Sequence, residues 1–302
     1  MRGSLIRMGL IALFWGSSFL WIKLALASLS PMQITFARLV LGGAVLVVLC
    51  YAGGQRLPRT RGTWGHLVIA AFFGNVLPFL LFAVGELTVP SGVAGMLNST
   101  TPLWALVIGI LIGTERDLRP VRIAGLALGF GGTLLIFAPW ATGDLMSWGA
   151  LAILAAAVSY AISYTYIGRF LSGRGAAPLA LSAAQILTAT GITTLALPAG
   201  GLQPVTLDLT AVLAVVVLGV FGTGFAFALN YRLIADEGAT QAATVGYLLP
   251  VVSVLLGALV LDEDLNPRVI AGMVVVLAGV AMTRVRRRQP AVEAEPVAAG
   301  VR

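Results

Sequence analysis

The sequence predicts an all-α integral membrane protein, with ten transmembrane helices forming two inverted five-helix repeats and both termini in the cytoplasm. Three observations predict it. Of 302 residues, 59% are hydrophobic and 10% charged, against about 25% charged in a soluble domain. The apolar residues gather into continuous runs of roughly 20, the length a spanning helix needs, rather than alternating stretches of roughly ten that would suit a barrel. The two halves of the chain match one another at an offset of 147 or 148 residues. With so few charges the surroundings must be lipid, where a helix satisfies its own backbone polar groups.

Charge, Pro and Gly divide the chain into runs 5–27, 31–51, 66–87, 91–112, 120–138, 148–168, 178–197, 209–231, 239–261 and 267–283. The first is too long for the apolar core of a secretory signal and holds Trp15, Trp21 and Lys23, so it is kept as a helix rather than a cleaved leader. The second opens at Pro31 and contains Arg38 and the lone cysteine, Cys50, a small core residue. Asn75 and Pro78 interrupt the third, and Thr100, Thr101 and Pro102 the fourth. The fifth is short and carries Gly125, Gly129, Gly131 and Gly132; the tenth carries Gly272 and Gly279. Small residues of this kind let helices approach closely in lipid. The sixth holds Ser159, Tyr160, Ser163 and Tyr164, and the seventh Gln185. Gly222, Thr223 and Gly224 interrupt the eighth, and Tyr247 with Pro250 the ninth. The tail 285–302 is polar or small and is expected to be disordered in the cytoplasm.

Cation placement sets the orientation. Of the 19 Lys and Arg, all but three flank the segments that are cytoplasmic if the N-terminus is. Lys23 and Arg38 lie within helices, and Arg268 alone falls on the outer side. Cytoplasmic loops retain the positive charge, so both ends are expected inside and the helix count even. The net charge of +7 is scattered between apolar runs, with no basic domain to hold a phosphate backbone, and nucleic acid is excluded as a partner.

The internal match is specific in its order. Phe73 and Gly74 align with Phe221 and Gly222, Phe79 with Phe227, Pro102 with Pro250 and Pro31 with Pro178. The window Thr114 to Gly125 aligns with Leu261 to Gly272 through Asp117/Asp264, Pro120/Pro267 and Gly125/Gly272. Five helices per half is an odd number, so the second half enters the bilayer from the opposite side. The matched loops agree: the first is rich in Arg, the second in Asp and Glu. Inverted repeats of this kind are an architecture of secondary transporters. The expected domains are 5–138 and 148–284.

Phe14-Trp15-Gly16-Ser17-Ser18-Phe19, Phe36-Ala37-Arg38-Leu39, Pro102 and Gly113-Thr114-Glu115-Arg116, in that order and spacing, resemble the drug/metabolite transporter superfamily, specifically proteins built from two EamA-type domains. The resemblance spans roughly 5–284. It implies a five-plus-five inverted fold and the export or exchange of amino acids, drugs or related metabolites. The expected location is the bacterial inner (plasma) membrane, multi-pass.

In an inverted-repeat carrier the solute site lies near the midplane, where helices are interrupted. Pro78, Pro102, Gly222, Gly224 and Pro250 are therefore candidate helix-break or gating positions. Arg38 lies seven residues into its helix, roughly 10 Å deep at 1.5 Å per residue, where a charge is costly and lines a cavity or pairs. Its repeat counterpart is Gln185. With Trp15, Ser18, Asn75, Asn98, Thr101, Trp104, Tyr160, Tyr164 and Tyr247 these form the candidate substrate-binding set, aromatic walls with a few convergent polar groups. Lys23, being shallower, is expected to snorkel outward along its stem.

No acid lies in mid-helix, which favours movement down a gradient over carboxylate-based proton coupling. Glu86 and Glu115 stand at helix ends, where capping or loop solvation is expected. One His and one Cys preclude a Cys/His metal cluster, and no cofactor motif is present. His66, at an inner interface, is at the wrong depth to serve the midplane serines, which argues against an intramembrane enzyme. A nucleotide-sugar exchanger needs several deep cations, and only Arg38 is deep. A receptor-like or structural subunit remains the other reading beside a transporter. The expected partners are a small-molecule solute and the bilayer; oligomeric state is left open, a monomer being compatible.

Overall fold

A computed structural model of the chain describes residues 2–115, 118–138, 140, 147–205, 208–260 and 267–283. The tail 285–302 and the loop acids Asp117, Asp144 and Asp262 to Asp264 lie outside the described residues. The regular structure of the described residues is all helical, with no strand among them. Eight helical rods are long and apolar enough to cross a bilayer: α1 (Gly3–Ala25), α2 (Pro31–Ala52), α3 (Arg61–Gly85), α4 (Ser91–Leu111), α5 (Pro120–Phe137), α6 (Trp148–Phe170), α7 (Pro178–Ala199) and α8 (Leu209–Glu237). Two shorter apolar helices follow, α9 (Ala239–Val252, continuing to Val260) and α10 (Pro267–Thr283). Relative to the sequence reading, α3 starts earlier, at Arg61, and α8 runs on to Glu237.

Local chemistry explains the starts. Pro31, Pro120, Pro178 and Pro267 open their helices, where the missing N–H costs nothing and the fixed φ suits the first turn. Ser30 caps α2 through a reciprocal bond with Gln33, a capping box. Asp208 caps α8: its carboxylate accepts from the Ala211 N–H at 2.7 Å and from the Ser28 hydroxyl at 2.6 Å. Those two bonds hold the Asp208 carboxyl below the usual carboxylate range.

Large apolar side chains point outward along the rods, among them Val48, Leu111, Leu195 and Val274, as lipid contact requires. Backbone proximity does the packing inside. A Cβ on Gly132 would lie 2.8 Å from the Gly272 carbonyl, and one on Gly125 would lie 2.7 Å from that of Gly279. Thus α5 and α10 run backbone against backbone over several turns, and α2 packs along α7. Both are pairs of repeat counterparts.

Besides a one-residue break at Ser17 in α1 and a 3-10 end to α7, four rods depart from α geometry. Phe72–Val76 in α3 and Val220–Phe225 in α8 are π-helical turns, at matched positions of the repeat. The released carbonyls find donors: Phe73 O accepts from the Ser159 hydroxyl at 2.7 Å, and Gly222 O from the Trp15 indole N–H at 2.9 Å. The fourth run, expected as one helix, is two, Ser91–Asn98 and Thr101–Leu111. At that break the Ser99, Thr100 and Thr101 hydroxyls each donate to the carbonyl three residues back, at 2.6–2.7 Å. In α9 a 3-10 turn, Thr244–Tyr247, precedes the helix holding Pro250. Gly246 sits against Pro102, so the two broken helices cross there.

Candidate solute site

Where the broken rods meet, α1, α2, α3, α4, α6 and α9 enclose a cavity of about 50 Å³. Trp15, Ser18, Arg38, Asn98, Thr101, Tyr160 and Tyr164 line it, together with Phe19, Ile22, Phe82, Ala243, Gly246 and Leu249. That volume holds a few waters, so the space is narrow in this conformation. Trp15 is braced edge-on by Phe227 and Tyr160 by a tilted contact with Phe82, with ring centres 5.7 and 5.8 Å apart.

Arg38 supplies the charge. It is 4% exposed; its Nε–H donates to the Thr223 hydroxyl at 3.2 Å, and its guanidinium carbon lies 3.7 Å from the centre of the Phe79 ring. Thr223 in turn donates to the Leu218 carbonyl at 2.9 Å, which the π turn leaves available. The side chain is therefore fixed at its stem, while its two terminal nitrogens have no protein acceptor among the described residues. A planar fork of donors with no carboxylate bonded to it is a ready receptor for an anionic oxygen pair.

Gln185 occupies the corresponding place in the other half. Its amide donates to Asn75 Oδ1 at 2.6 Å, and it accepts from the Tyr231 hydroxyl. Asn75 belongs to the first π turn, as Thr223 belongs to the second. Each second-position helix thus ties onto the π turn of the opposite half, one tie charged and the other neutral. Gln185 lines a smaller adjoining space, which Trp15, Tyr160 and Tyr164 share; Asn75 is buried behind it. Tyr164 donates to Asn230 at 3.2 Å.

Besides Asn75, two members of the candidate set line neither space. Trp104 is 39% exposed and absent from the cavity wall. Tyr247 is fully buried, its ring against Gly129 and its hydroxyl without a hydrogen-bond partner among the described residues. Of the candidate break positions, Gly222 and Gly224 lie in the second π turn, Pro78 just past the first, Pro102 after the α4 break and Pro250 in α9. Phe82 and Leu249 carried no polar signal in the sequence, yet they line the cavity, and Phe79 carries the Arg38 guanidinium on its ring.

The two ends of the cavity differ. Towards one, a polar opening of about 640 Å³ is lined by Thr165, Arg169, Thr240, Gln241, Glu237, Glu115 and Arg122 among others. Thr165 follows Tyr164 directly, and Gln241 precedes Ala243 by two residues, so the opening lies next to the cavity. Glu115 accepts a bidentate pair of bonds from Arg122 at 2.8 Å each. Its carboxylate is engaged in that pair and is not simply solvated. Towards the other end, Ile22, Phe19 and Phe82 close the cavity, and one turn beyond them stand Lys23 and Glu86. Lys23 does not reach freely outward: its ammonium donates to the Glu86 main-chain carbonyl at 2.7 Å. Glu86 is not solvated but 0% exposed, a correction to the expectation for a loop acid.

Comparison with known proteins agrees with this arrangement. The model of the EamA-like transporter family matches residues 4–138 and again 147–285. An uncharacterized transporter of Archaeoglobus fulgidus is 28% identical over 94% of this chain and 99% of its own. The uncharacterized inner membrane transporter YedA of Escherichia coli K12 is 30% identical over 84% of this chain and 81% of its own. The uncharacterized transporter YdfC of Bacillus subtilis is 28% identical over 89% and 87%. A solved crystal structure shares the fold with a TM-score of 0.75 at 22% identity, covering 94% of this chain and 97% of the other. The cavity lies between the two matched segments: α1 to α4 come from the first, α6 and α9 from the second.

Proposed function

We propose, because the chain belongs to the EamA-like transporter family, that it carries small amphipathic metabolites bearing a carboxylate, amino acids among them, across the bacterial inner membrane. A membrane transporter is the coarse statement that family and relatives support; the solute class and the route are our reading. The observation that carries it is Arg38, anchored by Thr223 and Phe79 with its terminal nitrogens open to an aromatic cavity. A carboxylate engages that fork, and the aliphatic or aromatic remainder of the solute lies against Trp15, Phe82 and Tyr160. One cation suits one carboxylate; a diphosphate would call for more.

The route we propose is alternating access, with two oppositely inserted five-helix halves, 5–138 and 148–284, rocking about the midplane and both termini cytoplasmic. What supports it is the one-sided arrangement, a wide polar opening at one end and apolar closure at the other. The opening is rimmed by Arg122 and Arg169, on the side the positive-inside rule assigns to the cytoplasm, and outward export from that side is the direction we favour.

The test is counterflow into proteoliposomes with a panel of amino acids and aryl or alkyl carboxylic acids, beside the matched amides. Exchange of acids but not amides, lost in Arg38→Met, is the expected outcome. Equal exchange of acids and amides refutes the carboxylate assignment, and no exchange of any solute refutes the carrier.

A further inference from the structure

Glu86 is the buried acid that the solute site does not use. It lies one residue beyond the last residue of the α3 span, Gly85, and its neighbours can be enumerated. Ser91, at the start of α4, donates to Oε2 at 3.3 Å. Oε1 is buried and has no hydrogen-bond partner among the described residues. Lys23 of α1 gives its hydrogen bond to the Glu86 backbone rather than to the carboxylate. Lys23 and Arg38 of α2 are the charged groups within electrostatic reach. From α6, which packs on this end of α3, the neighbours of Gly85 are Gly149 and Ile153, and neither carries a charge.

A carboxylate needs several donors to replace the water it leaves. One long bond from a hydroxyl does not replace it, and Lys23, exposed and hydrogen-bonded to the backbone carbonyl rather than to the carboxylate, acts on it only through a solvent-screened charge. The neutral acid fits better: Ser91 still donates to one oxygen, and the ionic solvation demand disappears. Burial accordingly raises the Glu86 carboxyl to about 8, against the opposing pull of Ser91, Lys23 and Arg38. The position matters as much as the protonation state. Glu86 stands one helical turn past Phe82 and beside Lys23, which follows Ile22, and both Phe82 and Ile22 line the closed end of the cavity.

We infer that Glu86 is a proton-binding site built into the closed end of the solute cavity, and that closing this end takes up one proton from the aqueous phase it shuts out. When the end opens, water reaches the carboxyl and Glu86 ionises, returning the proton; when it closes, the carboxylate and a proton from water combine to the acid. The conformational cycle is therefore sensitive to pH on that side. This replaces the expectation of movement without carboxylate coupling: the sequence showed that Glu86 is not in mid-helix, and the fold nevertheless buries it. The inference rests on alternating access as proposed above.

Infrared spectroscopy of the purified protein in lipid nanodiscs tests it without any transport. The wild type is expected to show the carbonyl stretch of a protonated carboxylic acid at about pH 6, fading by about pH 10. Glu86→Gln loses that band. Ser91→Ala keeps the band with its midpoint moved to higher pH, because a donor to the carboxylate has gone. A titrating acid band that survives in Glu86→Gln, or its absence from the wild type, overturns the inference. In proteoliposomes, counterflow of the acid panel is expected to respond to outer pH in the wild type and to lose that response in Glu86→Gln. Counterflow that ignores pH in both leaves the carrier standing and defeats the proton site. Absence of all counterflow defeats the carrier, and the infrared result alone then decides for Glu86.

Discussion

Replacing Arg38 by Met separates a binding role from a structural one. In the fold the guanidinium makes one charged hydrogen bond, to Thr223, and one ring contact, to Phe79. The first is worth about 1.5–3 kcal/mol and the second about 0.5–2 kcal/mol. Against them stands the loss of hydration, several kcal/mol for a buried ion without an ionised partner. Methionine fills much of the same volume and leaves Thr223 still donating to Leu218. The opposing terms are of similar size, so Arg38→Met should leave thermal stability unchanged or slightly raised. For a carboxylate solute the balance differs, because the lost charged bond is the one the solute makes. At about 1.5–3 kcal/mol, affinity should fall roughly 10- to 100-fold, while an amide analogue is little affected. Thermal unfolding in detergent reads the first quantity and calorimetric titration the second. A collapse of stability with equal losses for acid and amide would show that the arginine is a structural strut, and the carboxylate assignment would fail.

Other consequences can be checked separately. Gly279→Ala places a Cβ 2.5 Å from the Gly129 amide and 2.7 Å from the Gly125 carbonyl; prying α5 from α10 should cost about 1–3 kcal/mol in SDS-induced unfolding, whereas Gly131→Ala, with open space, should cost nothing comparable. Ala243→Phe enlarges a residue lining a cavity of about 50 Å³ and should abolish counterflow in protein that still elutes as a single folded peak. Asp208 is held below its ordinary pKa by Ser28 and Ala211. The stability it lends is thus fully present above about pH 4 and is lost as pH falls through the lower folded-state value. Asp208→Asn should remove that acid limb from a melting-temperature profile, and an unchanged limb would show that another group sets it.

Much of this was legible in the residues, for reasons that differ by residue. Length and apolarity of each run set the helices, because lipid admits few alternatives. Arg38 announced itself because a charge at that depth needs a purpose. What the sequence could not supply was azimuth. In water a helix marks its buried face by contrast with a polar one, but here both faces are apolar. Trp104 and Tyr160 therefore read alike, although one faces outward and the other lines the cavity. Tyr247 fails for a related reason: the break in α9 turns it onto Gly129. Glu86 was misjudged because its position one residue past a helix end gave its depth but not the direction of its side chain. Phe82 gave no signal, being one phenylalanine among thirteen, and Phe79 gave only its repeat match to Phe227.

The crossed ties onto the two π turns are matched in place and unmatched in charge, Arg38 to Thr223 and Gln185 to Asn75. A solute entering past the first meets a cation with free donors; one entering past the second meets an amide already holding two neighbours. For an anionic cargo these are thresholds of different height, so a machine assembled from two near-copies acquires unequal affinities at its two entrances, while the gradient alone sets the net direction. That inequality would reside in a single side chain, and converting Arg38 to Gln would level the two thresholds.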